Sequence, residues 1–235
     1  MENKTVASCE PNRVTQLSSI QTIPTGLSRV SGYHTSPTTE DYGREPMVIG
    51  IMDTGVNFHP DLNLANRVSF IGDLNDNYGN GTHVAGIAAA KDNSFGVVEI
   101  APDARIWSIK VYDTVDNPGN TTTFLSAINY TIAHAKEIKV INLNMDLGQS
   151  SPALVAATKQ AVDKGITFVA AGNGPRDVAE SWPANDPSVI TVAAMSDSDG
   201  KCGALGPPVN VQADGYISRR RMIASLAIIV FLVPK

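Results

Sequence analysis

Cysteine, aromatic and charged residues are all scarce in this 235-residue chain, and each scarcity removes a class of protein. The two cysteines, Cys9 and Cys202, lie far apart, with no His or further Cys at the short spacing of a zinc site. That excludes a zinc module and a disulfide-dense scaffold, leaving one disulfide or two free thiols. Charged residues make up 17%, and 18 Lys and Arg against 23 Asp and Glu give a net charge of -5. No global basic field draws in a phosphate backbone, so nucleic acid is not an expected partner. Long apolar runs are also missing. The longest, Met222 to Val233 behind Arg219, Arg220 and Arg221, falls short of the ~18 residues that span a bilayer, so no membrane partner is expected. The opening Met1 to Ser8 lacks the apolar core of a secretory signal.

What is present is a 43% hydrophobic composition, which suits one soluble globular domain with a substantial core, and a monomer is expected. Residues 1–45 mix Ser, Thr, Pro and Gly with few apolar pairs and read as an extended N-terminal arm. From Met47 the pattern changes. Met47 to Met52 is almost wholly apolar, as a strand buried on both faces would be, and it delivers Asp53 at its carboxyl end. Thr82 to Ala90 is rich in small apolar residues and predicts a buried helix with His83 in its first turn. Arg105 to Val111 reads as a strand, Phe124 to Lys136 as a helix and Val140 to Leu143 as a strand. Pro152 to Lys164 reads as a helix ended by Gly165, and Ile166 to Ala171 and Val189 to Ala194 as further strands. This alternation predicts an α/β fold, a mostly parallel sheet with helices on both faces.

In such sheets working residues collect beyond the carboxyl ends of strands, where Asp53, Asp146 and Asn173 all fall. The residues there carry a resemblance. Ile49 to Val56 followed by His59-Pro60-Asp61-Leu62, and then Asn80-Gly81-Thr82-His83-Val84-Ala85-Gly86, resemble the aspartate and histidine segments of the subtilisin-like serine proteases. Val140 to Gly148 is similar to that family's substrate-groove segment, Val169 to Gly174 to its oxyanion segment, and Pro187 to Ala194 continues the likeness. The resemblance covers about residues 46–217, an incomplete peptidase domain.

It implies a serine endopeptidase acting on extended polypeptides in a secretory or extracellular setting. Asp53 would orient His83 as base, and Asn173 would donate to the oxyanion. Asp146, Leu147 and Gly148 would run beside the substrate and bond to it as an added strand does. Two departures stand out. Asp146 replaces the Ser usual before Leu-Gly, and Asn80 stands where the family motif has a His.

The family's nucleophile lies in a Gly-Thr-Ser-Met-Ala type segment, and no Gly-Thr-Ser occurs in this chain. Residues 218–235 read as a basic and apolar tail outside the family pattern, so the C-terminal part of the fold is expected to be missing. Ser218 and Ser225 do not fit the nucleophile's place, since Arg221 stands just before Met222 where the serine would fall. The tail is either foreign sequence, as from a frameshift, or part of a non-catalytic relative that binds extended peptides. A nucleotide-binding α/β domain is disfavoured by the lack of a Gly-rich loop after the first strand. His34, His59 and His134 have no partner at ligand spacing, and no metal site is assigned. No cofactor is required; a structural calcium, common in the family, is left open by the acidic loop Asp73 to Asn77, whose spacing is not that of an EF-hand. Asn3, Asn80, Asn120 and Asn129 match the glycosylation acceptor pattern.

Overall fold

The computed structural model describes residues 21–22, 47–102, 104–148, 150–172, 179 and 181–192. Cys9, Cys202, Asn173, Ser218, Ser225, the tail and most of the N-terminal arm lie outside the described residues.

Among the described residues six strands build one sheet: β1 (Val48–Asp53), β2 (Leu64–Ser69), β3 (Arg105–Lys110), β4 (Ile138–Leu143), β5 (Thr167–Ala171) and β6 (Ile190–Val192). Their spatial order is β2-β3-β1-β4-β5-β6, and every neighbouring pair is parallel. β1 is central, which is why its sequence is apolar at both odd and even positions and all of its residues are buried. Gly50 is the exception to that bulk. A Cβ there would run into Ile141 Cδ1, so the glycine lets β1 and β4 side chains interlock.

Among the described residues three helices cover the sheet: α1 (Asn80–Ala89), α2 (Thr121–Ala133) and α3 (Pro152–Asp163). On one face α1 buries Val84, Ala85 and Ala88 against Ile49, Ile51, Ile106, Val140 and Val169. On the other, Phe124, Ala127 and Ile128 of α2 join Leu154 and Ala161 of α3 over Met52, Ile109, Ile141 and Phe168. The small residues of α1 let it settle closely on β1 and β3. α2 starts with Asn120, whose side chain accepts the Thr123 N–H at 3.1 Å, so this sequon asparagine serves as a helix cap. α3 has Pro152 in its first turn and is followed by Gly165 at φ 86°, the left-handed conformation that ends a helix cheaply only for glycine.

Two elements depart from the sequence expectation. β2 has no counterpart there, because an edge strand of intermediate burial carries no strong apolar signal. The described part of the N-terminal arm is also tied down. Thr22 exchanges backbone hydrogen bonds with Gly96 (2.9 Å) and Val98 (3.1 Å), and Gln21 Nε2 donates to Lys91 O at 2.7 Å.

A buried cation braces the rim of the sheet. Lys110, the last residue of β3 and the register partner of Asp53, is fully buried, with Nζ 2.8 Å from Asp113 Oδ1 and 2.6 Å from Asn75 O. The Lys110 hydrogen bond holds the Asp113 carboxyl below its usual range. The Asn75 backbone N–H, with Lys110 assisting, does the same for Asp73. In the acidic loop, left open as a calcium ligand, Asp73 lies 3.5 Å from Lys110 Nζ. Among the described residues no group of three or more His, Cys, Asp or Glu is arranged to hold a metal.

Candidate active site

Strand alternation decides where Asp53 points. Ile49 and Ile51 face α1, so Asp53, two residues on, faces the amino end of α1. It is fully buried. Its Oδ1 accepts the Thr54 N–H at 2.7 Å, and Asn80 Nδ2 reaches both carboxylate oxygens, at 2.7 and 2.8 Å. Asn80 is the first residue of α1, and only its amide nitrogen can face a carboxylate, since the amide oxygen would be repelled.

The approach of helix to strand end is enforced from two sides. Gly81 has no side chain, and a Cβ at that position would strike the backbone oxygen of Gly55. Asp76, itself buried, knits the parts together. Its Oδ1 accepts from Thr54 Oγ1 and Gly79 N, both at 2.7 Å, and its Oδ2 from Thr82 N at 2.8 Å and Thr82 Oγ1 at 2.6 Å. The cap residue Gly79 offers no side chain to α1, so the Asp76 carboxylate satisfies the helix's free N–H and complements its dipole from outside. Gly81 N in turn donates to Thr54 Oγ1 at 2.9 Å.

The expected pairing of Asp53 with His83 is not what this geometry holds. Among the described residues no hydrogen bond joins the two. His83 lies three positions beyond Asn80 in α1, is exposed, and lines a cavity of about 680 Å³ together with Asn57, His59, Asp61 and Glu99. The Asn80 amide on the carboxylate holds and orients Asp53 but cannot take up a proton at neutral pH. An Asn stands in the family's His place, and the fold sets that place against Asp53.

Asp146, Leu147 and Gly148 follow β4 as expected, and their backbone is already bonded. Leu147 N donates to Trp182 O at 3.1 Å and Trp182 N to Gly148 O at 2.8 Å, forming an antiparallel bridge. Trp182 is buried edge-on against Phe124, with ring centroids 5.8 Å apart. Gly148 N donates to Asp146 Oδ1 at 2.6 Å, a short charge-assisted bond that occupies a donor on this edge. Asn173, the expected oxyanion donor, lies outside the described residues.

Glu99 was not anticipated. It sits in the loop after α1 with 4% of its surface exposed, and its Oε2 has no hydrogen-bond partner among the described residues. Burial pushes its carboxyl up to about 8.

Comparisons with known proteins agree with this architecture. The model of the subtilase family matches residues 44–221. The chain is 33% identical, over 83% of its length, to the thermostable alkaline protease of Halalkalibacterium halodurans, covering 54% of that protein. It is 34% identical over 64% of its length to the minor extracellular protease Epr of Bacillus subtilis, covering 24% of it. Against subtilisin BL of Lederbergia lenta it is 30% identical over 82% of its length, covering 74% of that relative. The chain thus spans about half the length, or less, of the first two relatives. With a parallel sheet layered by helices, an aspartate at the end of its central strand and a family match over most of its length, the chain belongs to the subtilase family, a family of serine proteases.

Proposed function

We propose that this chain holds an extended polypeptide along the Asp146–Gly148 edge of a subtilase groove without cleaving it through Asp53. The observation that carries this reading is the Asn80 amide seated on both oxygens of Asp53. In a Ser-His-Asp arrangement the residue on the carboxylate must accept the nucleophile's proton, and the Asn80 amide cannot act as that base. Its parent activity is the serine endopeptidase chemistry of the family, with Asn173 as oxyanion donor and polypeptides as substrates. An extracellular setting follows the relative named as an extracellular protease. The net charge of -5 argues against nucleic acid as a partner, and the reading takes the chain as a monomer with no cofactor. No described helix is long and apolar enough to cross a membrane.

The test incubates the full chain with a fluorescent, unstructured polypeptide, following anisotropy for binding and intact mass for cleavage, beside a fluorophosphonate label. Saturable binding with intact peptide and no labelled serine is the expected result. Cleavage that is lost in both Asp53→Ala and His83→Ala would restore the endopeptidase reading, and absence of binding would remove the groove. Because a peptide strand must displace the Asp146 carboxylate from Gly148 N, Asp146→Ser is expected to tighten binding about three- to tenfold.

A further inference from the structure

The cavity beside α1 is not part of the Asp53 arrangement, and its lining is chemically unusual. Leu62, Ile87 and Val97 give it apolar walls, and at about 680 Å³ it is of the size that encloses small organic ligands. Into these walls is set Glu99, 4% exposed, with Oε2 lacking a hydrogen-bond partner among the described residues. A buried carboxyl left unmatched is costly, and it gains most from a group that brings both a positive charge and N–H donors. The other titratable groups around the cavity are His59, Asp61 and His83. Asp61 Oδ1 is taken by Asn93 Nδ2 at 2.6 Å, and His59 Nδ1 accepts the Asp61 N–H at 3.2 Å. With two carboxyls in the lining, an anion is disfavoured. No three His, Cys, Asp or Glu side chains are grouped together among the described residues.

We propose that this cavity binds a small organic cation, a primary ammonium on a compact apolar body, with its nitrogen against Glu99 and its hydrocarbon against Leu62, Ile87 and Val97. The ammonium supplies Oε2 with its missing donor, and the walls take the hydrocarbon out of water. Neither Asn80 nor the Asp146–Gly148 edge takes part, so this site stands or falls independently of the peptide groove.

The test titrates cyclohexylammonium into the full chain by calorimetry, with cyclohexanol as the uncharged counterpart of the same shape. Saturable one-to-one binding is expected, at least about tenfold tighter than cyclohexanol and weakened by a similar factor in Glu99→Gln. Affinity is also expected to rise about tenfold from about pH 7 to about pH 9, as a carboxyl titrating near 8 becomes ionised. Filling the cavity with Ile87→Phe is expected to abolish binding. An arm with Nα-acetyl-lysine amide separates the two sources of this chemistry: preference for it marks a lysine side chain, preference for cyclohexylammonium a free amine. No binding, equal affinity for cyclohexanol, or an affinity unchanged in Glu99→Gln would overturn the assignment. If Glu99→Gln does not fold, the comparison with cyclohexanol and the pH series on the unaltered chain decide it.

Discussion

Replacing Glu99 with glutamine keeps the shape of a buried side chain and removes only its ability to ionise, so the difference between the two proteins isolates one titration. In the unfolded chain this carboxyl has its ordinary value of 4.5, and in the fold burial raises it to about 8. Below the lower value both states hold the proton and the group has no effect. Between the two, the unfolded chain sheds a proton that the folded chain must keep, so the glutamate costs stability progressively as pH rises. Above about 8 the cost is constant. At about 1.4 kcal/mol per pH unit the interval sets a ceiling near 5 kcal/mol, and water reaching the carboxyl through the open cavity reduces this to about 2–4 kcal/mol. Urea unfolding of both proteins at about pH 5 and about pH 8.5 measures it. Glu99→Gln is expected to be near neutral or slightly destabilising at the lower pH and clearly stabilising at the higher. If the two stability curves run parallel across this range, Glu99 does not titrate as a buried group and the argument fails.

Three further outcomes test the frame around Asp53. Asp76→Ala removes an acceptor used by Thr54, Gly79 and Thr82 together, and is expected to cost about 3 kcal/mol in the same unfolding assay. Gly81→Ala drives a methyl group toward the Gly55 backbone oxygen and should cost about 2–4 kcal/mol; a change below ~0.5 kcal/mol would mean that α1 does not press on the strand end. Asn80→His places an imidazole on the Asp53 carboxylate, and its NMR titration is expected about one unit or more above the ordinary ~6.5. An unshifted value would show that residue 80 does not face Asp53.

The sheet was legible where burial is symmetrical. β1, β4 and β5 are apolar on both faces because each has neighbours on both sides and helices above or below, and that pattern survives in the bare sequence. β2 was not legible, since Leu64–Ser69 at the edge alternates with nothing. Asp53 was readable from the strand it ends. The contact of Asn80 with Asp53 was not legible, because a motif fixes spacing along the chain, whereas the orientation of a helix's first residue depends on Gly81, Thr54 and Asp76 packing from elsewhere. Glu99 could not be found at all, because a loop carboxyl has no periodicity to betray its burial.

The central place of β1 has a consequence for how long each part of the site persists. A strand bonded on both edges, between β3 and β4, opens only when most of the sheet opens, so its amide protons exchange with solvent on the timescale of global unfolding. β6 is short and at the edge, and Gly148 is tied to Trp182 by an isolated bridge, so these amides exchange through local opening. The carboxylate at Asp53 therefore keeps its position through many openings of the Gly148–Trp182 bridge, a fixed group beside a renewable edge.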